Sequence, residues 1–442
     1  MQDFQEIESK MQGVGLSQAA IDAFRHSVKV LQSQQSMMIP EAEIEPARDV
    51  ADWKALVEST PAADAELLSQ AVLVKLNGGL GTSMGLQKAK SLLEIKPGVT
   101  FLDLIVQQVQ HLREQAGYPV SLLLMNSFST SADTMAHLAR YADFADPAQV
   151  EMIQNRVPKL ETETLRPVSF PAKPELEWCP PGHGDIYPAL VGSGWLDKLL
   201  AKGVKYAFIS NSDNLGAQLD TRFLRWFAES GAPFVMEVTR RTEADKKGGH
   251  LATRRADGQP LLREVAQCPD EDVAAFQDIT RHRYFNTNNL WVRLDALKSF
   301  MEAHGGVMPL PVIRNVKTVD PRDAATPKVY QLETAMGAAI QCFPGARAVC
   351  VPRSRFFPVK TCSDLLLLRS DAVEIDAAGR MALAEECKGV APVVLLDSKR
   401  YKLVDSLDAL GVPSLKNVTK LVVNGEHHFA AGEPLCGEVH IG

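Results

Sequence analysis

The chain has 442 residues, of which 45% are hydrophobic and 23% are charged, as in ordinary globular proteins. This length exceeds what one hydrophobic core usually organises, so we expect two or three domains. The formal net charge of −7 argues against a general nucleic-acid-binding protein. An anionic ligand would have to be attracted by a local basic cluster rather than by the overall field.

The seven cysteines are scattered along the chain without any Cys-x-x-Cys pair. This pattern predicts reduced thiols in a cytoplasmic protein and excludes a disulfide scaffold or a zinc site. The acidic N-terminus lacks the apolar core of a signal peptide. No apolar run approaches the roughly 18 residues that a membrane helix needs, so we expect no membrane partner.

Residues 1 to about 35 show apolar side chains at helical spacing, beginning with Phe4, Ile7 and Met11. We predict an N-terminal helical segment over residues 1–50. A connection that contains Pro40, Pro46 and several acidic residues ends this segment.

The most informative stretch of the chain follows the short apolar run 72–76, which is typical of a buried strand. Four glycines between residues 78 and 85 let the backbone turn sharply and approach a ligand closely. Backbone amides in such a turn bind anions, and Lys88 and Lys90 lie just downstream. The spacing matches neither the ATPase phosphate loop nor the dinucleotide fingerprint. A polyphosphate site or a plain structural turn both fit this segment taken alone.

From about residue 70 to residue 365, strand-like runs alternate with segments of helical length. The runs are 72–76, 120–125, 206–209, 233–238 and 290–292. Their nearly continuous hydrophobicity predicts an α/β domain with a mainly parallel sheet that is covered on both faces. Ligands of such sheets bind beyond the carboxyl ends of the strands, where the glycine turn and residues 211–213 fall.

The C-terminus shows a different period. Val423, Phe429, Leu435 and Ile441 are spaced six residues apart, with small residues between them. A hexapeptide period predicts a parallel β-helix, and an ordinary hairpin pair is the alternative.

Six islands of sequence occur in the order that one family shows. They are residues 76–85, 180–185, 211–216, 285–289, 331–335 and 351–360. Together they resemble the eukaryotic-type UTP–glucose-1-phosphate uridylyltransferases, also called UDP-glucose pyrophosphorylases. A set of islands in the correct order is far more specific than any single loop.

This resemblance implies a mixed α/β fold. Its central part would be a Rossmann-like nucleotidyltransferase domain with a mainly parallel sheet over residues 51–405. A short left-handed parallel β-helix would follow over residues 406–442. The resemblance also implies transfer of a uridylyl group from UTP to glucose 1-phosphate, with Mg²⁺ as the cofactor.

The implied reaction needs positioning and charge neutralisation more than proton transfer. The attacking phosphate oxygen is already ionised near neutral pH, because a phosphate monoester has its second pKa near ~6. No general base or covalent nucleophile is therefore required. The resemblance implies that Lys90 and Lys360 are the catalytic phosphate-binding lysines. It also implies that Asp213 holds Mg²⁺, a cation that prefers carboxylate and phosphate oxygens.

The resemblance assigns further residues to the two substrates. The expected nucleotide-binding residues are Leu76, Asn77, Gly78, Gly79, Gln154 and Gly182. The expected substrate-binding residues are His183, Asn211, Asp213, Asn286, Asn288 and Glu333. The amide of Gln154 can offer a donor and an acceptor to one edge of uracil. Amides and a carboxylate likewise suit the hydroxyl groups of a sugar.

Two other functions compete with this hypothesis. One is a UDP-sugar pyrophosphorylase that accepts a broader range of sugar 1-phosphates, because epimers differ by one hydroxyl position. The other is a non-catalytic nucleotide-sugar-binding protein, which would not need Lys90, Asp213 and Lys360 together. We also expect copies of the chain to associate through the C-terminal β-helix.

Overall fold

The computed structural model describes residues 4–33, 37–48 and 50–442 of the chain. Its α-helices are α1 (Gln5–Gln12), α2 (Gln18–Gln32), α3 (Trp53–Glu58), α4 (Ala65–Ser69), α5 (Phe101–Ala116), α6 (Ser131–Leu138), α7 (Pro147–Val150), α8 (Ile186–Gly192), α9 (Trp195–Ala201), α10 (Thr221–Ser230), α11 (Val273–Gln277), α12 (Leu294–Ala303), α13 (Cys362–Arg369) and α14 (Val404–Leu410).

Its strands are β1 (Ile44–Pro46), β2 (Ala51–Asp52), β3 (Ala71–Asn77), β4 (Glu94–Lys96), β5 (Val99–Thr100), β6 (Ser121–Asn126), β7 (Glu151–Ile153), β8 (Val157–Pro158), β9 (Leu160–Glu161), β10 (Trp178–Cys179), β11 (Tyr206–Asn211), β12 (Phe234–Arg240), β13 (His250–Arg254), β14 (Pro260–Arg263), β15 (Tyr284–Arg293), β16 (Val312–Thr318), β17 (Lys328–Thr334), β18 (Arg347–Cys350), β19 (Val373–Ile375), β20 (Met381–Leu383), β21 (Val393–Leu396), β22 (Val418–Val423) and β23 (Gly437–Ile441).

The chain forms two compact units. The first unit comprises Met1–Val74, Met152–Ile209 and Asp220–Val351. The second unit comprises Lys75–Glu151, Ser210–Leu219 and Pro352–Gly442.

The predicted N-terminal helices are present as α1 and α2 in the first unit. The hydroxyl oxygen of Ser17 caps α2 by accepting a hydrogen bond from the Ala20 amide. Ile7, Met11 and Phe24 are buried in one cluster with apolar residues of β8, β10, β16 and β17. These helices therefore support the loops and the hairpin that carry several of the predicted site residues. Residues 1–3 and 34–35 of the predicted helical stretch lie outside the described residues.

The central sheet of the first unit has the strand order β2-β18-β12-β15-β11-β3. Neighbours β2, β18 and β12 are parallel, whereas β15 is antiparallel to both β12 and β11. Helix α10 packs against this sheet, where its Phe223 stacks on Trp291 of β15 with ring centroids 4.8 Å apart. The prediction of a mixed α/β fold with a large central sheet is confirmed.

The register between β12 and β15 shifts after Glu237 and leaves Thr287 and Asn288 as a bulge on β15. The Glu237 carboxylate is fully buried and accepts hydrogen bonds from the Asn289 amide and the Trp291 indole, each at 2.9 Å. A buried carboxylate needs such donors, so these bonds fix the strand next to the bulge.

The second unit includes the end of β3 from Lys75 onward and the end of β11 from Ser210 onward. Lys75 is fully buried, and its Nζ donates to the Ser210 hydroxyl at 2.8 Å and to the Ala217 carbonyl at 2.7 Å. Because a buried ammonium group must be hydrogen-bonded, Lys75 fastens the segment 210–217 to the strand that leads into the glycine turn.

The C-terminal region of the second unit is a three-stranded parallel sheet in the order β21-β22-β23. Val423 pairs directly with Ile441, so two of the four predicted hexapeptide positions are register partners. Phe429 is 1% exposed and lies in the connection between these strands, as does Leu435. Parallel pairing rules out the alternative of a hairpin, because hairpin strands are antiparallel.

No helix within the described part of the chain is both long and apolar enough to cross a membrane. All seven cysteines are free thiols, and Cys436 is the exposed one among them.

Candidate active site

The glycine turn leads the chain from β3 back toward Lys90. Gly79 is exposed, and a Cβ built on it would meet no atom within 4 Å. Gly85 has a φ of +84°, and a Cβ on Gly81 would lie 2.4 Å from the Leu86 side chain. The amide of Lys90 donates to the Gly79 carbonyl at 3.1 Å. The turn therefore offers open backbone at Gly79 with the catalytic candidate Lys90 beside it.

Buried side chains hold the start of this turn. Asn77 is 2% exposed and donates to the Asn126 side chain at 2.7 Å and to the Thr134 hydroxyl at 3.0 Å. The Ser127 hydroxyl donates to the Gly78 carbonyl at 2.9 Å. The Asn77 side chain therefore stabilises the start of the turn, and the accessible backbone of this segment begins after Asn77.

Lys90 forms an ion pair with Asp213, in which Nζ lies 2.8 Å from Oδ2. Both side chains are about one-fifth exposed, at 18% and 19%. The Ser212 amide donates to the Leu76 carbonyl at 3.1 Å, and the Val359 amide donates to the Asp213 carbonyl at 3.1 Å. The structure thus brings the glycine turn, the end of β11 and the segment before Lys360 together within the second unit.

The second oxygen of Asp213 fits a metal ion. Asp213 Oδ1 is buried and has no hydrogen-bond partner among the described residues. The described residues contain no group of three or more His, Cys, Asp or Glu that could hold a metal. One available carboxylate oxygen suits Mg²⁺, because this ion usually keeps several waters and takes its remaining ligands from substrate phosphates.

Asn211 lies partly exposed at the carboxyl end of β11 and begins the turn that carries Asp213. Asn214 of this turn donates to the Arg355 carbonyl at 3.1 Å and accepts from the Phe357 amide at 2.9 Å. A Cβ on Gly216 would lie 2.3 Å from the backbone of the same segment. The close fit explains why a glycine is needed there.

Lys360 is exposed and directly precedes Thr361, the N-cap residue of α13. The Asp364 carboxylate accepts hydrogen bonds from the Lys360 amide at 2.9 Å and from the Thr361 amide at 2.8 Å. Thr361 and Asp364 form a capping box at the start of this helix. The backbone of Lys360 is therefore fixed while its side chain faces solvent.

In the first unit, the loop over residues 180–185 packs tightly against the end of β17. Gly182 has a φ of +80°, and a Cβ on it would lie 2.5 Å from the Thr334 carbonyl oxygen and 3.1 Å from the Glu333 Cβ. A Cβ on Gly184 would lie 2.3 Å from the Thr334 hydroxyl. The Thr334 amide donates to the Pro181 carbonyl at 2.9 Å. These contacts place Gly182 next to Glu333.

His183 is a neutral hydrogen-bonding group in this loop. Its Nδ1 accepts a hydrogen bond from the Met336 amide at 3.0 Å, so the neutral ring carries its proton on Nε2. The residue as a whole is partly exposed, but the packed loops around its ring lower the pKa of His183 to about 4 by desolvation. His183 can therefore donate from Nε2 at neutral pH.

Gln154 and Gly182 are hydrogen-bonded to each other. The Gln154 side chain is nearly buried, and its Nε2 donates to the Gly182 carbonyl at 3.2 Å. This bond identifies the nitrogen of the side-chain amide and leaves its Oε1 as an acceptor. The structure thus brings together two residues that the sequence assigned to the nucleotide.

Asn286 and Asn288 form a reciprocal pair at the bulge of β15. The Asn286 amide donates to Asn288 Oδ1 at 2.8 Å, and the Asn288 backbone amide donates to Asn286 Oδ1 at 3.0 Å. Asn288 has a φ of +58°, which asparagine tolerates better than most residues. A Cβ on Gly337 would lie 2.9 Å from Asn286 Nδ2, so the pair lies close to the segment after β17.

Burial raises the pKa of Glu333, although a hydrogen bond from Asn315 and the charge of Lys317 act in the opposite direction. Ionised Glu333 in this setting is a strong acceptor that a hydroxyl donor would stabilise.

The predicted site residues thus fall into two groups, each described within its own unit. The first unit holds Gln154, Gly182, His183, Asn286, Asn288 and Glu333, and the second holds Leu76, Asn77, Gly78, Gly79, Lys90, Asn211, Asp213 and Lys360.

Three buried charged residues support these groups and were not predicted to have a role, namely Lys75, Asp185 and Glu237. A lysine within an apolar strand run was the one available signal, because a lone buried charge is costly without a structural purpose.

Substitution of Gly182 tests the close packing of its loop. Gly182→Ala should lower the free energy of unfolding by at least about 1 kcal/mol more than Gly194→Ala does. Both glycines have a positive φ (+80° and +75°), but the space around a Cβ on Gly194 is empty within 4 Å. Urea unfolding of both variants measures the difference, and equal losses of stability would contradict the packing argument.

Comparison with known sequences identifies relatives of this chain. The sequence model of the family described as UTP–glucose-1-phosphate uridylyltransferase matches residues 21–435. The UTP–glucose-1-phosphate uridylyltransferase of Saccharomyces cerevisiae is 43% identical over 378 residues, which are 85% of this chain and 74% of the yeast protein. That of Solanum tuberosum is 42% identical over 393 residues, which are 88% and 80% of the two chains.

Solved structures agree with the sequence relatives. A variant of UDP-glucose pyrophosphorylase from Leishmania major has a TM-score of 0.93 and 46% identity, covering 100% of this chain and 94% of that chain. Another variant of the same enzyme, solved in complex with UDP-glucose, has a TM-score of 0.92 with the same identity and coverage. A UDP-glucose phosphorylase from Trypanosoma brucei has a TM-score of 0.90 and 47% identity, covering 99% and 94%. The chain therefore belongs to the UTP–glucose-1-phosphate uridylyltransferase family.

Proposed function

We propose that this protein transfers the uridylyl group of UTP to glucose 1-phosphate and releases pyrophosphate. The observation that carries the proposal is the pairing of Lys90 with Asp213 beside the open backbone of Gly79. In a member of this family, that arrangement supplies an ammonium group, a carboxylate and backbone amides to a triphosphate.

The chemistry is a direct displacement at phosphorus. A phosphate oxygen of glucose 1-phosphate attacks the α-phosphorus of UTP, and the bond from the α-phosphorus to the bridging oxygen breaks as pyrophosphate leaves. The attacking oxygen is ionised near neutral pH, so no side chain has to accept its proton. The low pKa of His183, about 4, fits this scheme, because the ring stays a neutral donor.

The second unit supplies most of the charge in this proposal. Gly78 and Gly79 present backbone amides to the triphosphate, while Leu76 and Asn77 hold the strand end that shapes the turn. Lys90 and Lys360 neutralise phosphate charge as it develops, and we regard these two as the catalytic residues. Asn211 would contact the sugar phosphate from the end of β11.

The first unit supplies groups that recognise the base and the sugar. Gln154 and Gly182 would bind uracil, because their amide and backbone groups match its donors and acceptors. The remaining candidates for glucose 1-phosphate are His183, Asn286, Asn288 and Glu333.

Asp213 would hold a divalent cation through its unpartnered Oδ1, and Mg²⁺ is the ion that we propose. When bound, this ion would offset the negative charge of the phosphate oxygens. Lys90 Nζ already contacts Oδ2, so the Asp213 carboxylate would bind the lysine and the divalent cation through different oxygens.

We further propose the division into residues 1–50, 51–405 and 406–442, with a left-handed β-helix at the C-terminus. The pairing of Val423 with Ile441, 18 residues further along the chain, supports the β-helix, because this separation corresponds to one coil of three hexapeptides. Edge strand β21 exposes half of Val393 and half of Leu395, which supports association between copies at this end. The free thiols support a reducing, cytoplasmic location.

Release of pyrophosphate from a panel of substrates tests the proposed function. UTP and other nucleoside triphosphates should be crossed with glucose 1-phosphate, galactose 1-phosphate and other sugar 1-phosphates in the presence of Mg²⁺. We expect the highest kcat/KM for UTP with glucose 1-phosphate. Comparable turnover with several sugars would instead indicate a broad-specificity enzyme, and binding without turnover would indicate a nucleotide-sugar-binding protein.

Lys360→Ala should lower kcat at least about a hundredfold, because the variant loses a cation that stabilises the transition state. Its circular dichroism spectrum should remain that of the wild type, since the side chain is exposed. Lys420→Ala is the control, because Lys420 is an exposed lysine of β22 that pairs with Glu438. A normal kcat for Lys360→Ala would remove this lysine from the mechanism.

Asp213→Asn should raise the Mg²⁺ concentration required for half-maximal activity by at least about tenfold. Calorimetric titration of Mg²⁺ into the protein with UTP should show a matching loss of affinity. Asp376→Asn provides the control in the same unit, because Asp376 pairs with Arg380 at the surface. An unchanged Mg²⁺ requirement would show that Asp213 does not hold the ion.

A further inference from the structure

One buried carboxylate near the uracil-binding candidates has no role in the proposed chemistry. Asp185 is 3% exposed and directly precedes helix α8, yet its side chain makes no capping bond to that helix. Both of its oxygens accept hydrogen bonds from Asn155 instead. The Asn155 amide N–H donates to Oδ2 at 2.7 Å, and its Nδ2 donates to Oδ1 at 3.0 Å.

These bonds join two loops of the first unit. Asn155 directly follows Gln154, and Asp185 ends the loop that begins with Gly182. The loops are also joined by the bond from Gln154 Nε2 to the Gly182 carbonyl at 3.2 Å. The same carbonyl accepts from the Asp185 amide at 3.3 Å.

The bond to Gly182 fixes the orientation of the Gln154 amide. A free glutamine amide can rotate by half a turn and exchange its donor and acceptor. With Nε2 held by the Gly182 carbonyl, Oε1 is the end that remains free to accept. This orientation matches the N3–H donor of uracil, whereas cytosine presents an acceptor at N3.

We infer that Asp185 is a positioning residue that secures the selection of uracil over cytosine by holding Asn155, and through it Gln154, against Gly182. The inference rests on the proposed function, because it takes Gln154 as the residue that contacts the base. Burial raises the pKa of Asp185 to about 7, although the two hydrogen bonds from Asn155 act to lower it. The carboxylate is therefore strongly desolvated. A group that is so costly to bury needs both of its donors.

The cavity behind the loop is small. Asp185 lines it together with His26, Ser27 and Thr334, and its volume is about 40 Å³. This volume admits a few water molecules and no nucleotide. The role of Asp185 is therefore exerted through its bonds to Asn155 rather than by direct contact with substrate.

Exchange of the two partners tests the inference. In Asp185→Ala both bonds are lost, and in Asn155→Asp two carboxylates face each other. Asp185→Asn can still accept from the 155 amide N–H and donate to a rotated Asn155 side chain. The double variant Asp185→Asn with Asn155→Asp again pairs an amide with a carboxylate.

We expect Asp185→Ala and Asn155→Asp to raise the KM for UTP at least tenfold with kcat changed less than threefold. Both should also lower the ratio of kcat/KM for UTP to kcat/KM for CTP by at least tenfold. Asp185→Asn and the double variant should stay within threefold of the wild type in both quantities. Asp320→Ala is the control for a buried carboxylate of the same unit, and it should lower the melting temperature without changing the UTP-to-CTP ratio.

The inference fails if Asp185→Ala leaves the UTP-to-CTP ratio unchanged, or if the double variant is no better than Asn155→Asp alone. If Asp185→Ala does not fold, the comparison of Asn155→Asp with the double variant decides. A wild-type chain without turnover would refute the proposed function, and calorimetric titration with UTP and CTP then replaces kinetics in the same set of variants. Equal affinity of the wild type for UTP and CTP in that titration, or no binding of either, would overturn the inference.

Discussion

The hydrogen-bonding demand of buried charges is the constraint on which the candidate site depends. Lys75 lies in the middle of a strand whose seven residues are all buried, a position where an unpaired ammonium would cost several kcal/mol. Its bonds to Ser210 and Ala217 satisfy that demand only if the turn after β11 is held in one place. The position of Asp213 opposite Lys90 follows from this fixed turn.

Glu237 acts in the same way in the first unit. Its buried carboxylate binds Asn289 and Trp291, and its carbonyl accepts from the Thr287 hydroxyl at 2.6 Å. Bonds on both sides of the bulge over-determine the left-handed conformation of Asn288, which would otherwise cost roughly 1 kcal/mol or more. Strain of this kind persists only where the surrounding structure forces it. The bulge turns a side chain in a direction that a regular strand would not give it.

The sequence predicted the α/β class, the N-terminal helices and the parallel pairing at the C-terminus, because each leaves a regular pattern of apolar residues. It also indicated the glycine turn, because four glycines directly after a buried strand allow the backbone to turn sharply. It could not predict the shift at Glu237 or the bonds between Asp185 and Asn155. Such contacts join residues that are distant in the chain, and no periodicity marks them. The assignments of individual site residues to ligands came from family resemblance and stay predictions.

The two groups of candidate site residues differ in the kind of interaction they offer, and in the proposed function this difference follows from what each would recognise. Phosphates need charge, and the second unit contributes Lys90, Lys360 and Asp213. A base and a sugar are distinguished by the directions of their donors and acceptors, so neutral groups such as the Gln154 amide suit them better. A charged lysine would attract any phosphorylated nucleotide through its long-range field without reading the base. In the proposed function, the desolvation that keeps His183 neutral would serve selectivity, since a cationic ring would attract any phosphate group.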